Sequence, residues 1–255
     1  MKYPFALQLY SVRDYFEQNP VEALARVKTA GYDHVELAGT CGMTAAAFMG
    51  LVRDAGLNPV SMHVGFEAVT GGPEGVLADA RTFGVEYVVV PWLGPEQCPD
   101  RDAWLAAARA MDAAGAHLRG GGVTLCYHNH DHEFATLGDG TIFDLVFGGS
   151  APENLQAELD TCWSTVGGAD TAALIRRFTG RLPLVHVKDF TPDERGGAVF
   201  AELGRGIMDW NTVLPAARAA GARWFVVEQD ASATDTMESA AANAAFMARF
   251  NEENP

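Results

Sequence analysis

The stretch PVEALARVKTAGYDHVEL (Pro20–Leu37) holds the unit from which the whole chain is built. Between Pro20 and Ala30, Val21, Leu24, Ala25 and Val27 recur at helical spacing, the pattern of an amphipathic helix. Gly31 then stands where a helix C-terminus takes glycine. The short apolar run Asp33–Leu37 follows as a strand.

The same order recurs along the rest of the sequence. Strands are expected at Phe5–Tyr10, Asp33–Leu37, Asn58–His63, Glu86–Pro91, Val123–His128, Leu155–Asp160, Pro183–Lys188 and Arg223–Glu228. Their starts lie 25 to 40 residues apart, the length of a strand–helix unit. Further helices are expected at Thr44–Ala55, stopping at Gly56, and at Thr212–Ala220, stopping at Gly221, with Pro215 as a kink. Thr191–Gly206 is the longest irregular stretch and reads as an active-site loop. Repeated units of this kind build either a closed barrel or an open doubly wound sheet. The open sheet usually carries a glycine-rich phosphate turn after its first strand, but here Ser11-Val12-Arg13-Asp14 follows. Eight units and no visible linker favour a single (β/α)8 TIM barrel over residues 1–255. Little chain is left for a separate substrate domain. Specificity then falls to the strand-to-helix loops or to a neighbouring subunit of a homo-oligomer.

Composition narrows the function. The 255 residues are 48% hydrophobic and 20% charged, as expected of a globular protein with a sizeable core. Eighteen Lys+Arg against 33 Asp+Glu leave a net charge of −15. That balance disfavours nucleic acid and anionic membrane surfaces as partners, since both select basic faces. No apolar run approaches the ~20 residues of a membrane span, and MKYPFALQLYSVRD lacks the pattern of a signal peptide. Cys41, Cys98, Cys126 and Cys162 form no CxxC pair and read as reduced thiols of a cytoplasmic protein.

Alternation along the strands separates two faces. Leu155, Ala157 and Leu159 oppose Gln156, Glu158 and Asp160; Val185 and Val187 oppose His186 and Lys188; Leu125 and Tyr127 oppose Cys126 and His128. Phe225 and Val227 oppose Val226 and Glu228, and under the same phase the second and third strands end in Glu36 and His63. The apolar set suits burial under helices. The other set turns polar at the strand C-termini, the end that carries the active site of β/α barrels. YHNHDHEF (Tyr127–Phe134), ELD (Glu158–Asp160), HVKD (His186–Asp189) and VEQD (Val227–Asp230) bring imidazoles and carboxylates to one mouth. Each motif alone has a plainer reading: a strand-end Asp as a helix N-cap, or Lys188 as a structural partner of Asp160 or Glu158. Four on consecutive strands point to a divalent metal with oxygen and nitrogen ligands.

With those motifs the chain resembles the xylose isomerase-like barrel superfamily, in its branch of sugar phosphate isomerases and epimerases. The resemblance runs from QLYSVRD (Gln8–Asp14) to VEQD, and its most specific pieces are YHNHDHEF, ELDTCW, HVKD and LGRGIMDW (Leu203–Trp210). It implies a metal-dependent TIM barrel with Glu, Asp, His and Glu ligands on strands five to eight. Asp160, His186 and Glu228 match three of these by position. Many relatives have Glu at the end of the fifth strand, where this chain has His128. The YHNHxxEF branch carries Glu slightly later, so Glu133 is the expected fourth ligand, with His128 or His130 as alternatives. Mn²⁺ is the expected ion; Mg²⁺, Co²⁺, Fe²⁺ and Zn²⁺ suit the same donors.

Such an ion holds two neighbouring oxygens of a hydroxy-ketone and stabilises the enediolate left by deprotonation. Glu228 with His128, His130 or Glu133 is expected to move the proton, assisted by Lys188. His63, Trp163, Lys188 and Arg205 are the expected substrate contacts: Trp163 stacking on a sugar ring, and Gly204-Arg205-Gly206 offering backbone amides to a phosphate. Asp230 is placed to orient a ligand. The expected activity is isomerisation or epimerisation of a ketose or related polyol-ketone. The rivals are a dehydratase or lyase of an inosose or 3-oxo-glycoside, a non-catalytic sugar-binding barrel, and cleavage of abasic DNA as in other members of the superfamily, against which the −15 charge and the short ligand set argue.

Overall fold

The computed structural model describes residues 3–254. All eight expected strands form: β1 (Phe5–Gln8), β2 (His34–Leu37), β3 (Asn58–His63), β4 (Tyr87–Val90), β5 (Thr124–His128), β6 (Leu155–Asp160), β7 (Leu184–Val187) and β8 (Trp224–Val227). Each pairs in parallel with its neighbours in sequence, and β8 returns to β1 through Phe5↔Phe225 and Leu7↔Val227. The sheet therefore closes without an edge, as a (β/α)8 TIM barrel. The main helices of the outer ring are α1 (Pro20–Thr29), α2 (Ala45–Asp54), α3 (Pro73–Phe83), α4 (Arg101–Gly120), α5 (Ile142–Gly148), α6 (Thr171–Arg177), α7 (Trp210–Ala220) and α8 (Thr236–Glu253). Among the described residues no helix is long and apolar enough to cross a membrane.

Local signals explain the helix ends. The Asn19 side chain accepts the N–H groups of Val21 and Glu22 to start α1, and Thr44 accepts that of Ala47 to start α2. Gly84 (φ 70°) and Gly221 (φ 108°) end α3 and α7 in the left-handed conformation that disfavours a Cβ. Pro215 lies inside α7.

The apolar face of the strands packs under the helices. Leu24, Phe48, Trp104, Leu125, Leu159 and Phe225 belong to this one continuous core and are buried. The barrel interior is different. Its floor is a small apolar cluster of Tyr87, Val89, Cys126 and Leu184, with Trp224 packed against it. Above that floor the inward positions are polar and buried: Gln8, Glu36, Ser61, His128, Glu158, Asp160, His186 and Lys188. Buried polar groups of this density persist only when they satisfy one another or hold an ion.

Two segments differ from the sequence expectation. The strand expected to reach Tyr10 ends at Gln8, and Leu9–Val12 turns into a 3-10 helix. The Gln8 side chain accepts the Tyr10 N–H at 3.1 Å, which supplies the turn with a local cap. Within Thr191–Gly206, Asp189–Pro192 pairs antiparallel with Ala198–Ala201, so the stretch expected to be irregular begins as a β-hairpin. Its base is tied to Asp189, which is buried. That carboxylate accepts the N–H groups of Phe190 (2.9 Å), Gly204 (2.8 Å) and Met208 (3.1 Å), and Trp210 Nε1–H (3.0 Å).

Candidate active site

The C-terminal ends of β5 to β8 place His128, Asp160, His186 and Glu228 side by side, all buried. One ligand atom from each lies within 4.8 Å of every other. Asp160 explains how such a cluster is held. Its Oδ1 accepts the Trp163 N–H at 2.8 Å and caps the short helix Thr161–Val166. Its Oδ2 is turned inward, 3.0 Å from Lys188 Nζ but without an aligned hydrogen bond. The N-cap role and the inward-facing role therefore coexist on one carboxylate. His128 Nδ1 is likewise buried with no hydrogen-bond partner.

Lys188 is the cation within this cluster. Its Nζ lies 2.7 Å from Glu228 Oε2, 3.0 Å from Asp160 Oδ2 and 3.0 Å from Asp230 Oδ1. Of the two structural partners expected for it, Asp160 is present, and Glu228 and Asp230 join it. Burial opposes the Lys188 charge, yet the three carboxylates outweigh it and raise its pKa well above the ordinary value. Burial would also raise Glu228, but Lys188 and His186 hold its carboxyl well below the usual range. Asp230 is pushed up to about 6 by burial and by Glu228. Burial raises Asp160, with Lys188 opposing. Burial, helped by the positive charge of His186, lowers His128 well below its ordinary value. A neutral imidazole is the form that binds metals.

A second layer lies beneath. His186 Nδ1 is 2.9 Å from Glu228 Oε2, while its Nε2 faces Glu36 Oε1 (2.8 Å) and Glu158 Oε2 (3.1 Å). His63 Nε2 meets the same two carboxylates at 3.0 and 2.9 Å. His63, His128, Glu158 and His186 thus form a second close group that shares two imidazoles with the first. Sequence phase had placed Glu36, His63 and Glu158 inward, but not their convergence on His186, which joins β2, β3 and β6 to β7.

A cavity of about 630 Å³ opens above the cluster, with Tyr10, His63, Trp92, His128, His130 and Glu228 in its wall. Tyr10 and Trp92 are each 46% exposed at its mouth. No sequence pattern singled out Trp92, which lies two residues past β4. His130 packs edge-on to Trp92, ring centroids 4.6 Å apart, and burial pushes its pKa down to about 3.

Of the other expected site residues, Glu133 and Arg205 lie elsewhere, and Trp163 sits beside the cluster against Lys188 and His130. Glu133 is buried, but its Oε1 accepts from Tyr127 Oη at 2.6 Å and its Oε2 from the His130 N–H at 2.8 Å. Tyr127 belongs to the apolar face outside the barrel, so Glu133 is drawn behind β5 and is not brought into the cluster. Burial raises its pKa. Trp163 is not part of the cavity wall described above; Lys188 Nζ sits 5.5 Å from its ring centre, and Phe200 packs on it edge-on. Arg205 is exposed and pairs with Glu202 at 3.3 Å, away from the cavity.

The donor set fits a divalent ion: two imidazoles and two carboxylates, buried and convergent, with Asp160 Oδ2 and His128 Nδ1 each lacking a hydrogen bond. His128, Asp160, His186 and Glu228 would hold it.

Comparison with known proteins agrees with the barrel fold. Residues 24–250 match the family described as xylose isomerase-like TIM barrel. No curated protein sequence matches the chain. Among solved structures, a sugar phosphate isomerase/epimerase from Parabacteroides distasonis superposes with a TM-score of 0.83 at 22% identity, covering 97% of this chain and 94% of that one. The IolI protein, solved with a bound zinc atom, superposes with a TM-score of 0.74 at 14% identity, covering 96% and 97%. A probable 3-DHS dehydratase from Bacillus anthracis gives 0.70 at 13%, covering 96% and 98%.

Proposed function

We propose a metal-dependent sugar isomerase or epimerase activity for this chain, which belongs to the xylose isomerase-like TIM barrel family. One observation carries the reading: His128, Asp160, His186 and Glu228 converge, buried, at the cavity floor on the strand ends where β/α barrels perform chemistry. The names of the structural relatives, an isomerase/epimerase and a zinc-containing protein, support it. His128 takes the position expected of Glu133. When bound, the ion polarises a substrate carbonyl and its neighbouring hydroxyl, which acidifies the C–H between them.

The chain's own groups supply the rest. Lys188 Nζ stands beside Glu228 and Asp160 and donates to a substrate oxygen that gains negative charge. Glu228 and His130 face the cavity from β8 and from the loop after β5. A base on one side takes the proton from carbon, and an acid returns it to the neighbouring carbon or to the opposite face. Tyr10 and Trp92 offer apolar faces on which a sugar ring stacks and which exclude water. A small sugar is the partner this cavity suits.

A lyase acting on an inosose or 3-oxo-glycoside shares the first proton transfer, and the dehydratase among the structural relatives keeps it in view. Proton NMR in D₂O over a panel of ketoses, inososes and 3-oxo-glycosides separates the outcomes. Deuterium entering one carbon with the skeleton kept is expected. Loss of water or of an aglycone would establish the lyase. No exchange with any substrate, or a folded protein without about one divalent ion per chain, would leave a sugar-binding barrel.

A further inference from the structure

We infer that Glu36, on the opposite side of the barrel from the metal-ligand strands, is the positioning residue that aims His186 at the ion; the inference rests on the metal site proposed above. Glu36 is fully buried. Oε1 receives Gln8 Nε2 at 2.7 Å and faces His186 Nε2 at 2.8 Å and His63 Nε2 at 3.0 Å. Oε2 accepts the Ser61 hydroxyl. Gln8 and Ser61 sit on β1 and β3, the two strands paired with β2. The carboxylate is therefore braced by both neighbouring strands before it meets an imidazole.

The consequence for His186 follows from which nitrogen carries the proton. Nε2 faces two carboxylate oxygens, Glu36 Oε1 and Glu158 Oε2, neither of which can donate while ionised. Nδ1 faces a carboxylate as well, Glu228 Oε2 at 2.9 Å, so it is ligation that decides which nitrogen keeps its hydrogen. Were Nδ1 to give its lone pair to an ion shared with Glu228, the remaining ring hydrogen would be on Nε2, where Glu36 Oε1 accepts it at 2.8 Å. A carboxylate behind a ligating imidazole fixes the tautomer and ring orientation and strengthens the ligand. Glu36 is singled out over Glu158 because it is the closer to Nε2, and because Glu158 keeps one oxygen buried and unpartnered while both oxygens of Glu36 are engaged. The same oxygen also faces His63, whose ring lies parallel to His186 within 10° at 5.7 Å, so one carboxylate sets the ligand and a residue of the cavity wall together.

The test is Co²⁺ binding, read by competition with a chelating dye and by the visible d–d bands. Glu36→Gln keeps the shape and an acceptor oxygen but removes the charge, and should weaken Co²⁺ about tenfold and shift the bands. Glu36→Leu removes the acceptor and should approach 100-fold. Val89→Ala, a cut in the apolar floor, loses stability without touching the cluster and should leave affinity and bands unchanged. Wild-type affinity and bands in either folded Glu36 variant would overturn the inference, as would an equal loss in Val89→Ala. If Glu36→Leu does not fold, Glu36→Gln alone decides. Wild-type protein that takes no Co²⁺ would instead overturn the metal reading, and this inference with it.

Discussion

Replacing Asp189 by Asn tests how the hairpin loop after β7 is held. The carboxylate accepts four donors in two pairs: Phe190 N–H and Met208 N–H on Oδ1, Gly204 N–H and Trp210 Nε1–H on Oδ2. An asparagine amide has one acceptor oxygen, so at least two of these bonds are lost and an NH₂ group faces two donors. Hydrogen bonds to a charged group contribute about 1.5–3 kcal/mol each, which puts the loss at roughly 3–6 kcal/mol. There is no room to relax: a Cβ on Gly206 would already overlap Asp189 Oδ1 and the Phe190 carbonyl. Urea unfolding followed by circular dichroism should show a midpoint shift of that size at unchanged m. Limited proteolysis should cut the variant within residues 191–206 while the barrel stays intact. A loss below about 1 kcal/mol, or cleavage no faster than in the parent, would refute the account of Asp189 as the knot of this loop.

Other substitutions probe the site and its frame. Lys188→Met leaves Asp160, Glu228 and Asp230 without their cation, which costs about 3–5 kcal/mol in metal-free protein. The rise in melting temperature on adding a divalent ion should then exceed that of the parent; an equal or smaller rise would contradict the charge balance drawn here. Glu133→Gln should keep the metal content of the parent by elemental analysis, because its carboxyl faces Tyr127 and the His130 N–H; loss of the ion would restore it as a ligand. Gly115→Ala should lower stability by about 1–3 kcal/mol, since the added Cβ overlaps the Asn154 carbonyl where α4 presses on the lead into β6; calorimetry checks it.

The barrel could be read from the sequence because its signals are local. Helical periodicity, glycine stops and short apolar runs repeat within windows of 25 to 40 residues, and each strand's alternation assigns its two faces without reference to any other strand. The bounds of β3 and β6 match the expected Asn58–His63 and Leu155–Asp160 in full. The same alternation placed Asp160, His186, Lys188 and Glu228 on the inward side.

The fifth-strand group was a different problem. His128 and Glu133 are five residues apart, and both suit a metal by chemistry. Beyond β5 the alternation stops, because the chain turns into the 3-10 segment His132–Phe134, which carries Glu133 to the outer face beside Tyr127. A strand rule has no force once the strand has ended. Trp163 and Arg205 also sit beyond strand ends, where side-chain direction follows loop packing.

Local patterns thus told which side of each strand is polar, which end is crowded and that a cation suits it. They could not tell which of those groups meet. Glu36 and His186 are 150 residues apart, and no periodicity links them; the closure of β8 onto β1 makes them partners across the barrel. Alternation is a property of a few consecutive residues, set by backbone geometry. Convergence depends on tilt, closure and the register of eight strands at once, and only the folded barrel contains it.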